Sequence, residues 1–292
     1  MSGSASVTDM AALPQPLWMI GCGNMGGAML RGWIAAGLDP AAVTVVTRSG
    51  QGAPAGVRSL TTLPAGERPA TLVLAVKPQQ LDDVAPMLAG LAPDLLVSIL
   101  AGVEADVLAT RIPAGAVVRA MPNLPVAIRQ GVTALFSPSD AADVRQAAEA
   151  LARPLGLAEW IADERSFDAV TALAGCGPGF VFRFADALAA AGSALGLPED
   201  QARRLAVATL AGAGAMAAGA DMSPAVLADR VASPGGSTRK GLDVLDANHA
   251  LVEGERRADA LAILNGTAEH RCFDLFGHLF ATRMPTVIWS CC

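Results

Sequence analysis

Gly21, Gly23 and Gly26 are spaced GxGxxG in the stretch Met19-Ile20-Gly21-Cys22-Gly23-Asn24-Met25-Gly26. The apolar residues Leu17 to Ile20 run straight into the first glycine, as a buried parallel strand does. Asn24 to Ala36 then has helical character and stops at Gly37. In that strand–turn–helix setting the glycines read as a dinucleotide-binding turn. Gly21 permits the tight turn, Gly23 admits backbone to a pyrophosphate, and Gly26 lets helix and strand pack closely. The free N–H groups and the dipole of the helix N-terminus favour the phosphates. Cys22, Asn24 and Met25 complete this part of the cofactor-binding set. The bland alternative is a glycine-rich turn without a ligand, and the flanking elements weigh against it.

The next strand-like run, Ala42 to Arg48, is rich in β-branched residues. A site for NADH carries a carboxylate at the end of this strand, on the ribose 2′-hydroxyl. Here that place reads Thr47-Arg48-Ser49. No acid repels a 2′-phosphate, and Arg48 can pair with one. NADPH is therefore expected ahead of NADH, with Arg48 and Ser49 on the phosphate; a solvated surface arginine is the alternative. Ala75-Val76-Lys77-Pro78 ends a third strand at the sheet edge where cofactors bind, and Lys77 is expected to help hold one.

Absences narrow the chemistry. The chain has no tyrosine, and its histidines, His249, His270 and His278, all lie near the C-terminus. Neither a Tyr-Lys proton relay nor a histidine general acid is available to the sheet domain. Hydride transfer to a carbonyl usually needs such a proton donor. Reduction of an imine that is already protonated needs only orientation and a hydrogen bond. Two segments suit that task. In Asp168 to Phe180, Gly175, Gly177, Pro178 and Gly179 break one helix and open the next. In Val231 to Leu242, Ser233-Pro234-Gly235-Gly236 forms a turn and Ser237-Thr238 starts a helix. Free N–H groups there suit a substrate carboxylate, and the Thr238 hydroxyl suits a ring nitrogen. The alternative for this turn is an ordinary helix start capped by Ser237.

The elements that position these residues alternate. Strands are expected at Leu17–Ile20, Ala42–Arg48, Thr71–Val76, Leu95–Leu100 and Ala116–Ala120, with Val132–Phe136 as an antiparallel edge. Helical spacing covers Asn24–Ala36 and Leu81–Leu91. This is the pattern of a doubly wound α/β sheet. From about Phe167 the strand-like runs stop. Phe180–Leu195, Pro198–Ala218, Pro224–Val231 and Ser237–Leu245 read as helices. The expected organisation is a lead-in without regular structure (1–16), an NAD(P)-binding Rossmann domain (17–165) and an all-α domain (166–292). Hydrophobic residues make up 52% of the 292, enough for a sizeable core. A net charge of −6 argues against nucleic-acid and acidic-membrane partners. Leu205 to Ala220 is the longest uncharged, proline-free stretch, and it is too short to span a bilayer. Its alanines and glycines suit close helix–helix contact. Five cysteines, an odd number without metal spacing, fit a reducing cytoplasm and no bound metal.

Four motifs in order make the chain resemble the pyrroline-5-carboxylate reductases. They are Ile20-Gly21-Cys22-Gly23-Asn24-Met25-Gly26, Ala75-Val76-Lys77-Pro78, Arg119-Ala120-Met121-Pro122-Asn123-Leu124-Pro125 with Gly131 following, and the pair Asp168–Phe180 and Ser233–Thr238. The resemblance runs from about Leu17 to Leu245. It implies a Rossmann domain followed by a helical dimerisation domain that interlocks with a second subunit, as a homodimer or higher oligomer. It implies hydride transfer from NAD(P)H to C5 of 1-pyrroline-5-carboxylate, giving proline. Gly236, Ser237 and Thr238 then fall on the substrate-binding turn, with Ser233 and Gly235 shaping it, and Thr238 on the threonine that meets the ring nitrogen. Glu164 falls on a position associated with proline binding. Pro122 and Asn123 fall on a loop beside the nicotinamide. Two other readings remain: a related 3-hydroxyacid dehydrogenase, opposed by Arg183 and Asp186 where that chemistry needs a lysine, and a non-catalytic NADP-binding homologue.

The chain departs from the family pattern in three places. Ala174-Gly175-Cys176-Gly177-Pro178-Gly179-Phe180 stands where Ser-Gly-Ser-Gly-Pro-Ala-Tyr is usual, so two hydroxyls and a phenol are missing. Leu124 stands for a threonine. From about Glu253 the tail bears little resemblance to the family's last helix, which points to a frameshift or a divergence near residue 250. The neighbouring reading frames of the coding DNA decide that: a family-like helix in one of them supports a frameshift, and its absence refutes it.

Overall fold

The computed structural model describes residues 13–248. The lead-in before residue 13, the three histidines and the tail from Glu253 lie outside the described residues. The chain divides between Gly175 and Cys176 into two compact units.

The N-terminal unit is built on one eight-stranded sheet. Its strands are β1 (Leu17–Ile20), β2 (Val43–Val46), β3 (Arg58–Leu60), β4 (Thr71–Leu74), β5 (Leu95–Ser98), β6 (Ala116–Pro122), β7 (Gly131–Phe136) and β8 (Gly156–Trp160). They lie in the order β3-β2-β1-β4-β5-β6-β7-β8. The first six are parallel, β7 runs antiparallel to β6, and β8 is parallel to β7. β1, β2, β4 and β5 are buried at every position, because helices cover both faces. The order reverses between β1 and β4, and the crevice beyond their C-terminal ends is where such sheets take a ligand.

The helices of this unit are α1 (Asn24–Ala35), α2 (Leu81–Leu88), α3 (Ala105–Arg111), α4 (Ala142–Ala152) and the short α5 (Phe167–Val170). Alternate strand residues face opposite cores. Leu17, Met19, Val45 and Val73 meet α1 and α4, with Trp33 and Leu151 among the buried residues. Trp18, Ile20, Leu72 and Leu74 meet α2 and α3, around Leu88 and Leu108. The buried Trp33 indole donates to the Leu151 carbonyl at 2.6 Å, which satisfies its one polar atom and ties α1 to α4.

Two expectations change. Val132–Phe136 is antiparallel as expected, but it is not the sheet edge: β8 pairs outside it. The strand at Ala42–Arg48 is shorter, because the chain turns at Thr47, whose carbonyl accepts from Gly50 N–H.

The helical unit holds α6 (Gly177–Ala194), α7 (Glu199–Ala218), α8 (Pro224–Arg230) and α9 (Ser237–Asn248). α6 starts three residues before the expected Phe180, since Pro178 fits the first helical turn and needs no N–H donor there. α6 and α7 cross closely at Gly192, where a Cβ would lie 3.2 Å from Ala202 Cβ.

Candidate functional site

The three motif glycines do three different things. Gly21 has φ +88°, and a Cβ there would come within 2.6 Å of the Ala75 carbonyl oxygen. Only glycine makes that turn. Gly26 is packed on β4: its Cβ would lie 3.0 Å from Ala75 Cβ and 3.5 Å from Met19 Sδ. Gly23 is the opposite case. Nothing lies within 4 Å of where its Cβ would be, so the backbone is bare on that side. One glycine thus turns, one packs and one leaves room, which is the fit a dinucleotide pyrophosphate needs. α1 begins at Asn24, the turn after Gly23, with no acidic residue in its first turn to compete with an anion.

Ala75 and Val76 lie under this turn, so the first two motifs form one feature. Val76 Cγ1 is 3.1 Å from the Gly21 Cβ position. Lys77 is exposed, and its ammonium makes no ion pair among the described residues. Pro78 starts a single helical turn, and Gln80 Oε1 accepts from the Lys77 amide at 3.1 Å.

The segment after β2 is a compact loop. Ser59 Oγ donates to the Gly50 carbonyl at 2.9 Å, and the Ser49 hydroxyl accepts from the Gln51 amide at 3.3 Å. Arg48 and Ser49 are exposed, and the Arg48 guanidinium has no partner among the described residues. Cys22 Sγ donates to the Gly52 carbonyl at 3.5 Å, so the glycine turn holds this loop directly. Burial pushes the Cys22 thiol pKa up, and the nearby Arg31 charge opposes that shift only partly.

Pro122 ends β6, and Asn123 is buried and engaged. Its Nδ2 donates to the Ala174 carbonyl at 3.0 Å, and its Oδ1 accepts from Val132 N–H at 2.8 Å. The side chain therefore fixes the loop to β7 and to the helical turn Thr171–Gly175. One N–H of Nδ2 and one lone pair of Oδ1 are thus taken by the protein itself. Gly175 closes that turn against β6, with a Cβ there 3.3 Å from Met121 Cε.

Glu164 is engaged as well. Its Oε1 accepts from Arg119 Nη1 and from the Ala105 amide, both at 2.7 Å. The Arg119 side chain is 7% exposed, and its guanidinium lies 4.4 Å from the Phe167 ring centre. Glu164 Oε2 has no bond among the described residues. The carboxylate thus joins β6, α3 and the start of α5. Arg119 opens the third motif, but its link to Glu164, like that of Ala105, is not legible in the sequence, because the two stand 45 and 59 residues from Glu164 with no local signal joining them.

In the helical unit, Gly235 takes φ +73° and the Gly236 amide donates to the Ser233 carbonyl at 2.9 Å. That forms the expected turn. The first amide of α9 with a carbonyl partner is Lys240, on Gly236. The Ser237, Thr238 and Arg239 amides are left open, and the Ser237 and Thr238 hydroxyls are exposed without a partner among the described residues. Ser237 is therefore not spent as a cap. Arg239 bonds Asp229 at 2.7 Å and clamps α9 to α8 across the turn. Asp229 holds the Arg239 pKa above its usual value, against a smaller opposing effect of burial and with help from Asp243 and Asp246. Gly177 and Pro178 open α6, and Cys176 precedes them. Among the described residues no group of His, Cys, Asp and Glu could hold a metal ion.

Sequence comparison joins these features. A relative from Pseudomonas aeruginosa, a pyrroline-5-carboxylate reductase, is 37% identical over 249 residues, covering 80% of this chain and 90% of its own length. The chain belongs to the pyrroline-5-carboxylate reductase family. A second member, from Thermus thermophilus, is 38% identical over 242 residues, 79% of this chain and 90% of that one. The family model described as pyrroline-5-carboxylate reductase dimerisation matches residues 164–258. One described as NADP oxidoreductase coenzyme F420-dependent matches residues 17–102. Among solved structures, a pyrroline-5-carboxylate reductase from Coxiella burnetii aligns with TM-score 0.74 at 30% identity, over 90% of this chain and 98% of that one. The Plasmodium falciparum enzyme, solved with NADP bound, aligns with TM-score 0.73 at 25% identity, over 90% and 97%. The fold is that of the family: a Rossmann domain and a helical dimerisation domain.

Proposed function

We infer that this chain reduces 1-pyrroline-5-carboxylate to proline, with NADPH as the preferred donor. One observation carries the reading: the family relationship spans both the dinucleotide turn and the Ser233–Thr238 turn, and the open backbone at Gly23 and at the start of α9 supports it. When bound, the nicotinamide supplies a hydride to C5 of the ring. The rest falls to the chain. Gly21, Gly23 and Gly26 with the α1 N-terminus take the pyrophosphate. Arg48 and Ser49 take the 2′-phosphate, and Ala75 to Pro78 with Pro122 and Asn123 form the adjoining wall. The open amides at Ser237 and Thr238 take the substrate carboxylate, and the Thr238 hydroxyl orients the ring nitrogen. Glu164 acts by fixing Arg119 and α3, with Oε2 left to face a ligand. The imine brings its own proton, which suits a chain with no histidine or tyrosine before residue 249.

A homodimer or larger homo-oligomer forms through residues 166 onward. Exposed apolar side chains on α6 and α7 support this: Phe182 is 58% exposed, Leu205 51% and Met216 66%. Cys22 and Cys176, neither in a disulfide among the described residues, suit a cytoplasmic enzyme. The test is NADPH oxidation by purified protein with and without 1-pyrroline-5-carboxylate.

A further inference from the structure

The N-terminal unit spends almost all of its arginines. Most pair with carboxylates, Arg129 donates to the Pro154 carbonyl at 3.0 Å, and Arg145 stacks 4.0 Å from the Trp160 ring centre. Arg31 and Arg48 alone in this unit have no hydrogen bond, ion pair or ring contact among the described residues. Both are exposed. An uncompensated guanidinium costs little in water, so solvation accounts for either one taken alone. Their placement does not look independent.

Arg31 sits two turns into α1, yet its side chain runs back toward the helix N-terminus, as long helical side chains do. Its Nη1 is 3.2 Å from the point a Cβ on Gly27 would occupy, and Cys22 Sγ is 3.6 Å from that same point. Cys22 Sγ in turn holds the Gly52 carbonyl at 3.5 Å. Gly52 closes the loop that carries Arg48 and Ser49. The guanidinium of Arg31 therefore lies at the seam between the dinucleotide turn and that loop. Gly27 is the residue that leaves it room: a methyl there would press on the guanidinium.

We propose that Arg31 is a second cation for the 2′-phosphate of NADPH, beside the Cys22–Gly52 contact that holds the loop carrying Arg48. A 2′-phosphate carries close to two negative charges and several acceptor oxygens, which one guanidinium cannot satisfy. NADH carries a neutral hydroxyl at that position and gains nothing from Arg31. Arg31 is then a specificity residue, and Gly27 is its positioning partner. This rests on the dinucleotide reading of the glycine turn.

The test is direct binding by calorimetry, with NADPH, NADH and 2′,5′-ADP as probes, on the wild-type chain and on Arg31→Gln, Arg48→Gln and Gly27→Ala. A charge-assisted hydrogen bond corresponds to roughly a tenfold change in Kd or more. Arg31→Gln is expected to weaken NADPH and 2′,5′-ADP by about that factor and to leave NADH unchanged. Gly27→Ala should raise the melting temperature, since alanine favours a helix, while weakening NADPH. A purely structural role would not move those two readouts in opposite directions. Equal loss of NADPH and NADH in Arg31→Gln would place the contact on the shared pyrophosphate and overturn the proposal. No loss with either nucleotide would leave Arg31 a solvated side chain and overturn it too. If the wild-type chain bound neither nucleotide, the dinucleotide reading itself would fall.

Discussion

Two residues show how a site position can serve the fold and the chemistry at once. Glu164 accepts two hydrogen bonds on one oxygen and faces the buried Arg119. Removing one partner of a buried ion pair leaves an uncompensated charge, at a cost of about 3–5 kcal/mol. Glu164→Ala is expected to lower unfolding stability toward that range, the 21% exposure of the carboxylate softening the loss. Glu164→Gln keeps an acceptor for the Ala105 amide and should lose less. Urea titration of the two variants checks the order. If both matched the wild type, the Arg119 contact would carry no weight. The role of Glu164 was legible only in part: its position before a helix was visible, and its partners were not. Asn123 repeats the lesson. Its place in the Met121-Pro122-Asn123 loop could be read, whereas its bonds to Val132 and Ala174 arise from strand pairing and chain return.

The glycine turn separates the two demands at the scale of an element. Gly21→Ala meets both a positive φ and the Ala75 carbonyl, so it should lose stability and cofactor together. Gly23→Ala meets nothing within 4 Å among the described residues. Its melting temperature is expected to stay near wild type while NADPH affinity falls by an order of magnitude or more, since the methyl fills the space a pyrophosphate needs. A Gly23→Ala variant that binds NADPH normally would contradict the turn's assignment. On the far side of the sheet, Trp160 on β8 and Arg153 after α4 both bond Glu149. Burial works to raise that carboxyl, but the Trp160 indole and Arg153 outweigh it, and the pKa is lowered. A lowered carboxylate stabilises the fold above its unfolded pKa of about 4.3, and the contribution fades as pH falls through the lower folded value. Glu149→Gln should therefore flatten the acid limb of stability against pH below about 4.3, as chemical denaturation across that range would show. β1, β2, β4 and β5 were readable because strands covered on both faces are continuous apolar runs. β3 and β8 were not read: Arg58–Leu60 is short and polar, and β8 alternates between exposed and half-buried residues. α3 and α4 were also missed, although Ala147, Ala148 and Leu151 carry a helical spacing that could have revealed α4.

The two units differ in how well each closes on itself. The N-terminal unit buries two dense cores, one on each face of its sheet. α6 has no buried residue and α7 buries only Ala202 and Ala206. Helices of that length need an apolar partner, and the dimerisation family model over residues 164–258 points to a second copy. Leu205 and Met216, eleven residues apart, share one face of α7. Replacing both with arginine is expected to shift the protein toward monomer in analytical ultracentrifugation and to lower its melting temperature. A wild-type chain that sedimented as a stable monomer would contradict the interlocking reading.

Imine reduction in this chain proceeds without a proton from histidine or tyrosine before residue 249. The measurement that tests it most directly is the oxidation of NADPH and of NADH by the purified chain, followed by absorbance, with and without 1-pyrroline-5-carboxylate. Oxidation is expected to depend on the substrate, to run faster with NADPH, and to collapse in Thr238→Ala with NADPH binding intact. Tight NADPH binding with no oxidation in the presence of substrate would contradict it.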